Sequence, residues 1–88
     1  MIPNIVLVTG ASAGFGEAIV RKFAAAGARV VATARRLERL EKLAGELGER
    51  VLPVALDVRS RADVERTLAT LPRDFVDVDL LVNNAGLA

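Results

Sequence analysis

The stretch that decides the fold runs Val6-Leu7-Val8-Thr9-Gly10-Ala11-Ser12-Ala13-Gly14-Phe15-Gly16. It begins in an apolar run, Ile5 to Val8, passes through a loop that holds three glycines and leads directly into a helical pattern. A strand, a glycine-rich turn and a helix in this order are the setting in which such glycines bind a dinucleotide. The helix N-terminus adds unpaired N–H groups and about half a positive charge, which suits a phosphate.

The three glycines have separate predicted roles. Gly10 lets the chain leave the strand in a sharp turn where a side chain would clash. Gly14 leaves the backbone bare so that a pyrophosphate can approach, and Gly16 lets the helix pack closely on the strands. The spacing T-G-x-x-x-G-x-G differs from the common G-x-G-x-x-G, so a tight strand-to-helix turn that binds nothing is the alternative.

The rest of the chain alternates between strand and helix patterns. Strands are predicted over residues 4–9, 29–34, 51–56 and 78–82, and helices over residues 14–26, over 37–47 and from Ser60 to a stop at Pro72. This alternation predicts an α/β fold: the N-terminal half of a Rossmann-like, doubly wound parallel sheet, with the order βαβαβαβ and strand order 3-2-1-4. Pro53 indicates that the third strand lies at an edge.

Apolar stripes predict which helix faces are buried. The predicted stripes are Phe15, Ile19 and Phe23 in the first helix, Leu37, Leu40, Leu43, Ala44 and Leu47 in the second, and Val64, Leu68 and Leu71 in the third. Ser60 with Asp63 resembles a capping box at the start of the third helix.

Two arginines end the second strand, in Ala34-Arg35-Arg36. An acidic residue near this point commonly binds the ribose 2′-hydroxyl of NAD, whereas an arginine can hold the 2′-phosphate of NADP. No acidic residue occurs between positions 30 and 37, so the sequence favours NADP over NAD. The alternative is a solvated helix start, which is weakened because positive charge opposes the helix dipole there.

Polar residues follow the other strands at the same predicted edge of the sheet. Ser12 is a candidate partner for a phosphate oxygen, with a helix-capping role as an equal alternative. Asp57, considered alone, is typical of an Asx turn that leads into a helix. Asn83 is interpreted as structural, its amide satisfying loop backbone, and Thr9 is also interpreted as structural.

Composition excludes several classes of function. The chain has 88 residues, 52% apolar, and a formal net charge of +1, which gives no sign of a nucleic-acid surface. It has no cysteine, so a disulfide framework, a thiolate zinc site and a cysteine nucleophile are excluded, and we expect a cytoplasmic protein without a metal site. No apolar run is long enough for a membrane span, and the first residues lack the basic region of a secretory signal.

Groups that transfer protons at neutral pH are scarce. His and Tyr are both absent, and the two lysines, Lys22 and Lys42, fall on predicted solvent-facing sides of helices. We therefore expect no catalytic residue in this chain.

Several motifs together resemble those of the short-chain dehydrogenase/reductase family. Residues 9–16 are similar to the family's cofactor loop, and Asn83-Asn84-Ala85-Gly86 is similar to its second signature. With Ala34-Arg35-Arg36 and Leu56-Asp57-Val58 between them, the resemblance covers all 88 residues. Gly14-Phe15-Gly16-Glu17 and residues 83–88 are most similar to the NADP-dependent 3-hydroxy acid (serine-type) dehydrogenases of that family.

The resemblance implies roles for individual residues. Asp57 would accept a hydrogen bond from the adenine amino group, and the Val58 backbone would meet the ring edge. The backbone from Asn84 to Gly86 would approach the ribose on the nicotinamide side. The full predicted NADP-binding set is Gly10, Ala11, Ser12, Ala13, Gly14, Phe15, Gly16, Arg35, Arg36, Asp57, Val58, Asn84, Ala85 and Gly86.

Family members continue for well over a hundred further residues, which hold an asparagine, a serine and a Tyr-x-x-x-Lys pair. We therefore expect residues 1–88 to be a truncated cofactor-binding half-domain without turnover. Its parent would be a homo-oligomeric (dimeric or tetrameric) oxidoreductase that transfers hydride between NADP and an alcohol or carbonyl substrate, for example a small 3-hydroxy acid such as serine. The piece alone would associate through the edge of its fourth strand. The alternative is a trimmed or engineered α/β module with only a binding or folding role.

Overall fold

The computed structural model describes residues 4–12 and 14–84. Its elements in chain order are β1 (Ile5–Val8), α1 (Gly14–Ala25), β2 (Arg29–Ala34), α2 (Glu38–Leu47), β3 (Val51–Ala55), α3 (Arg61–Ala69), a short 3₁₀ helix (Arg73–Phe75) and β4 (Leu80–Val82). The four strands form one parallel sheet in the order β3-β2-β1-β4. The predicted α/β class and strand order are confirmed, and Pro53 does lie on an edge strand.

The two central strands are buried on both faces of the sheet. Because alternate side chains of a strand point to opposite faces, β1 contributes Val6 and Val8 to one apolar cluster and Ile5 and Leu7 to another. α1 and α2 cover the first cluster, and the connection from β3 to β4 covers the second, where Phe75 is buried. A strand enclosed in this way needs apolar residues at every position, which explains the unbroken apolar run in the sequence.

The predicted helix stripes are correct only in part. In α1 the side chain of Phe15 is 81% exposed, while Gly16 and Val20 are the buried residues. In α3 the side chain of Leu68 is 44% exposed, and Thr67 is buried in its place. The other stripe residues of α1, Ile19 and Phe23, do pack against the first cluster, and in α2 Leu40 and Leu43 are buried as predicted. The prediction therefore fails at single positions and not for whole helix faces.

The start of β4 is tied to the start of β1. The Asp79 carboxylate accepts hydrogen bonds from the backbone N–H groups of Asn4, at 2.7 Å, and Ile5, at 3.2 Å. The Asp79 N–H in turn donates to the Ile5 carbonyl oxygen at 2.9 Å. These bonds fix β4 beside β1, so that the chain after Val82 emerges next to the glycine loop. The strand itself is shorter than predicted, because pairing with β1 begins only at Leu80.

Within residues 4–12 and 14–84, no helix is both long enough and apolar enough to cross a membrane.

Candidate functional site

The loops that follow the four strands come together at one end of the sheet, because the carboxyl ends of parallel strands all lie there. A cleft of about 860 Å³ opens there. The residues that line it come from the loops after β1, β2 and β3, from the end of β2 and from the first turn of α2. They are Gly10, Ser12, Ala34, Arg35, Arg36, Glu38, Arg39, Leu56, Asp57, Val58 and Arg59.

The glycine loop turns sharply at two left-handed positions. Gly10 has φ of +62° and Gly14 has φ of +59°, values that a residue with a side chain rarely adopts. The Ala11 N–H donates to the Thr33 carbonyl oxygen at 2.9 Å, which holds the loop against β2. A methyl group on Gly14 would meet no atom within 4 Å, so the space beside this backbone is open, as an approaching ligand would require.

Gly16 is required by a close contact rather than by its dihedral angles. A Cβ atom on this residue would lie 2.0 Å from the Gly10 carbonyl oxygen and 2.8 Å from the Asn84 side-chain nitrogen. The close approach predicted for Gly16 is therefore made chiefly to the loop carbonyl and not to the strand surface. The helix N-terminus can sit against the loop only because this position has no side chain.

The segment after β4 locks the glycine loop in place. The Asn84 amide nitrogen donates to the Gly10 carbonyl oxygen at 3.1 Å, whereas the Asn83 amide oxygen accepts from the Thr9 hydroxyl at 3.1 Å. The loop backbone is thus satisfied by Asn84, one residue later than the sequence interpretation assigned to Asn83. Thr9 is 4% exposed, and its N–H donates to the Val82 carbonyl oxygen at 3.0 Å, which fits its structural interpretation.

The part of the cleft lined by the end of β2 and the start of α2 is basic. Arg35 and Arg36 are exposed, line the cleft, and make no hydrogen bond or ion pair with any residue that the structure describes. Arg39 lies one helical turn further on and lines the same cleft, with Glu38 beside it. Sequence reasoning missed Arg39, although its spacing of three to four residues from the arginine pair is the signal that could have identified it.

Asp57 lines the same cleft and forms the Asx turn that was its alternative interpretation. One carboxylate oxygen, Oδ1, accepts from the Arg59 N–H at 3.0 Å and from the Arg59 Nε at 3.1 Å, and Oδ2 accepts from the Arg59 Nη2 at 3.2 Å. The Arg59 guanidinium, and then the Arg59 backbone N–H, lower the pKa of the Asp57 carboxyl group below its usual value. Asp57 is therefore ionised at neutral pH.

The start of α3 differs from the predicted capping box in one respect. The Ser60 hydroxyl accepts from the Asp63 N–H at 3.2 Å, as predicted. The Asp63 carboxylate, however, accepts from the Asp57 N–H at 2.9 Å instead of the Ser60 N–H, which donates to the Asp57 carbonyl oxygen. This Asp57 N–H, and then the Arg66 guanidinium, lower the pKa of the Asp63 carboxyl group. The helix start thus holds the backbone of Asp57.

The structure brings together six of the predicted site residues in the cleft: Gly10, Ser12, Arg35, Arg36, Asp57 and Val58. Within the described part of the chain, the Ser12 hydroxyl has no hydrogen-bond partner, and neither does the Val58 N–H. Ala11 is buried, and Gly14, Phe15, Gly16 and Asn84 lie outside the lining of this cleft.

Ala13, Ala85 and Gly86 lie outside the described residues. The lining residues that sequence reasoning missed are Ala34, Glu38, Arg39, Leu56 and Arg59. For Arg59 the available signal was its place two residues after an Asx-turn aspartate.

A parallel sheet of order 3-2-1-4 with a glycine loop after its first strand defines a dinucleotide-binding type of α/β protein. The sequence model of the short chain dehydrogenase family matches residues 4–88. The chain belongs to the short-chain dehydrogenase family.

Individual relatives are similar over almost the whole chain. The chain is 61% identical over 84 residues to an NADP-dependent 3-hydroxy acid dehydrogenase of Salmonella typhi, an alignment of 96% of this chain and 34% of that protein. It is 51% identical to a serine 3-dehydrogenase of Agrobacterium fabrum, over 94% of this chain and 33% of that one. A solved structure, the closed form of serine dehydrogenase complexed with NADP⁺, is 55% identical with a TM-score of 0.88 and covers 91% of this chain and 32% of its own. The chain thus spans about a third of the length of these relatives.

Two glycine-to-alanine substitutions are expected to have opposite effects on stability. Gly16→Ala should lower the free energy of unfolding by about 1–3 kcal/mol, because the methyl group displaces the Gly10 carbonyl. Gly45→Ala is the matched control, since this helical position in α2 has no atom within 4 Å of an added Cβ. It should raise the free energy of unfolding by about 0.5–1 kcal/mol. Urea unfolding followed by circular dichroism checks both values, and equal effects would contradict the close contact at Gly16.

Proposed function

We propose that this chain is the NADP-binding part of an oxidoreductase of the short-chain dehydrogenase family. The observation that carries the proposal is the pair Arg35 and Arg36, which line the same cleft as the glycine loop. Neither guanidinium makes a hydrogen bond or ion pair in the described structure, so both are available to a ligand anion. The relatives support NADP as the cofactor, because they include an NADP-dependent enzyme and a structure in complex with NADP⁺.

The cleft residues fit such a cofactor by the chemistry of their donors and acceptors. The turn at Gly10 and Gly14 and the N-terminus of α1 would take the pyrophosphate, with the Ser12 hydroxyl as a further donor. Arg35 and Arg36 would hold the 2′-phosphate, since a guanidinium matches a phosphate with two parallel hydrogen bonds. These residues come from separate loops that the sheet places side by side.

Asp57 and Val58 would contact the adenine at the same end of the proposed cofactor, because the adenine and the 2′-phosphate are attached to one ribose. The segment after β4 would approach the ribose on the nicotinamide side. Asp57 is ionised and offers an acceptor to the adenine amino group, and the Val58 N–H has no partner in the described chain. Ala11, Ala13, Phe15, Gly16, Asn84, Ala85 and Gly86 complete the proposed set.

A bound nicotinamide would supply hydride transfer to or from the carbon of an alcohol or carbonyl group. The residues of this chain would bind and orient the cofactor, and we propose that they perform no catalytic step themselves. The substrate class we propose for the whole enzyme is a small 3-hydroxy acid such as serine, on the basis of the relatives' names. We propose a homo-oligomeric enzyme, and the cytoplasmic location stays a prediction.

Cofactor preference tests the proposal directly. Isothermal calorimetry on the chain should show tighter binding of NADP than of NAD. Arg35→Ala combined with Arg36→Ala should weaken NADP binding at least about tenfold while leaving NAD binding unchanged, because each lost contact is a charge-assisted hydrogen bond to an exposed group.

Arg61→Ala is the matched control for that experiment. Arg61 is an exposed arginine outside the cleft, without a hydrogen bond or ion pair in the described structure, so its loss should change neither affinity. Equal losses for NAD and NADP in the double variant would mean that the arginines do not hold the 2′-phosphate. A folded chain that binds neither nucleotide would contradict the proposed function itself.

The free edge of β4 supports a proposal about self-association. In the described structure β4 pairs only with β1, and the Leu81 side chain on this strand is 61% exposed. An open strand edge with exposed leucine is a template for pairing with another chain. We therefore propose that residues 1–88 associate through β4.

Analytical ultracentrifugation checks this proposal. The chain should sediment as a species larger than a monomer, and Leu81→Lys should shift it toward the monomer, because charge on an edge strand opposes pairing. Leu68→Lys, a control on the exposed face of α3, should leave the distribution unchanged. A monomer at all concentrations would refute association through this edge.

A further inference from the structure

The Asp57 carboxylate is nearly saturated by one neighbouring residue. A carboxylate offers about four lone-pair sites, two on each oxygen. Arg59 fills both sites on Oδ1, through its N–H and its Nε, and one site on Oδ2, through its Nη2. One acceptor site therefore remains, on Oδ2, and the Asp57 side chain is 38% exposed, so a ligand can reach it.

The orientation of this remaining site is fixed from two directions. Arg59 binds both oxygens in the fork geometry of a guanidinium, which favours one orientation of the carboxylate about its terminal bond. On the other side, the Asp63 carboxylate accepts the Asp57 N–H and ties the backbone of Asp57 to the start of α3. Both Asp57 and Arg59 line the cleft.

We propose that Arg59 is a positioning residue for cofactor recognition: it holds the Asp57 carboxylate so that the single free acceptor site of Oδ2 faces a purine amino group. This inference rests on the proposed function. The Arg59 guanidinium donates two hydrogen bonds to Asp57, through Nε and Nη2, and the Arg59 backbone N–H donates a third, so the role of Arg59 is exercised through that carboxylate.

The arrangement has a consequence for base specificity. An ionised carboxylate accepts hydrogen bonds and cannot donate them, so it pairs with the 6-amino group of adenine. The 6-oxo group of hypoxanthine is an acceptor, and facing it toward the same oxygen leaves two acceptors unpaired. When Arg59 fixes the carboxylate, Asp57 cannot turn away to relieve this mismatch. Arg59 should therefore increase the preference for adenine over hypoxanthine.

The affinities of the wild-type chain and two variants for two nucleotides test this role. NADP and its hypoxanthine analogue are titrated by calorimetry into the wild-type chain, Arg59→Gln and Arg61→Gln. Arg59→Gln should weaken NADP binding about fivefold but analogue binding by no more than about twofold, since a net contribution of about 1 kcal/mol is lost only where the amino group is bound.

Arg61→Gln is the control, because Arg61 is an exposed arginine two residues after Arg59. It makes no described hydrogen bond or ion pair with Asp57 and does not line the cleft. It should leave the adenine-to-hypoxanthine affinity ratio unchanged. Circular dichroism verifies that each variant is folded. Arg59→Lys is measured as a second variant, because lysine keeps the charge but cannot bind both oxygens in a fork, and it should lower the ratio in the same direction.

Each outcome separates this inference from the proposed function. A wild-type chain that binds NADP, together with an Arg59→Gln variant that loses the same factor for both nucleotides, would overturn the positioning role and indicate direct contact with the cofactor. Unchanged affinities in Arg59→Gln and Arg59→Lys would overturn it as well. If the folded wild-type chain binds neither nucleotide, the proposed function fails and this inference fails with it.

Discussion

The Gly10 carbonyl oxygen is the point on which the architecture of the site depends. It accepts a hydrogen bond from the Asn84 amide, and it lies so close to Gly16 that no Cβ can be placed there. One oxygen thus connects the loop after β1, the N-terminus of α1 and the segment after β4. Because β1 and β4 are neighbours at the point where strand order reverses, this contact joins the two sides of the crevice that the fold creates.

The cleft combines free cations with an oriented carboxylate. Arg35 and Arg36 make no hydrogen bond or ion pair in the described structure, whereas Asp57 in the same cleft is ionised and almost fully engaged by Arg59. Free cations suit an anionic group, and an oriented carboxylate suits a neutral amino group. The arginine pair and Asp57 therefore differ in the chemistry that they can recognise.

Much of the fold could be predicted from sequence because its signals are local. The apolar run of β1, the glycines after α1 and α2 (Gly27 and Gly48) and the proline in β3 each restrict the backbone directly, and they lead to the observed strand order. The exposure of Phe15 could not be predicted in this way. Phe15 is exposed and Gly16 is buried because a contact with a loop, distant from the helix periodicity, determines how α1 sits.

The site was predictable to a similar degree and for similar reasons. Strand ends identified Arg35 and Asp57, since sheet topology alone determines where these residues emerge. Arg59 and the link from Asp63 to the Asp57 backbone were missed, because each depends on how a side chain folds back over a turn. The amide that satisfies the loop backbone was assigned to Asn83 instead of Asn84 for the same reason, as adjacent amides on a loop can be told apart only by their contacts.

Binding of NADP at the carboxyl ends of the strands is tested most directly by the change in backbone amide NMR shifts when NADP is added to the ¹⁵N-labelled chain. We expect the largest changes in residues 10–16, 35–36 and 57–58. The amino ends of the strands carry a second cleft of about 400 Å³, lined in part by Arg29 and Asp77, and its amides should not change. Changes concentrated in this second cleft, or absent from the glycine loop of a folded chain, would contradict NADP binding at the carboxyl ends of the strands.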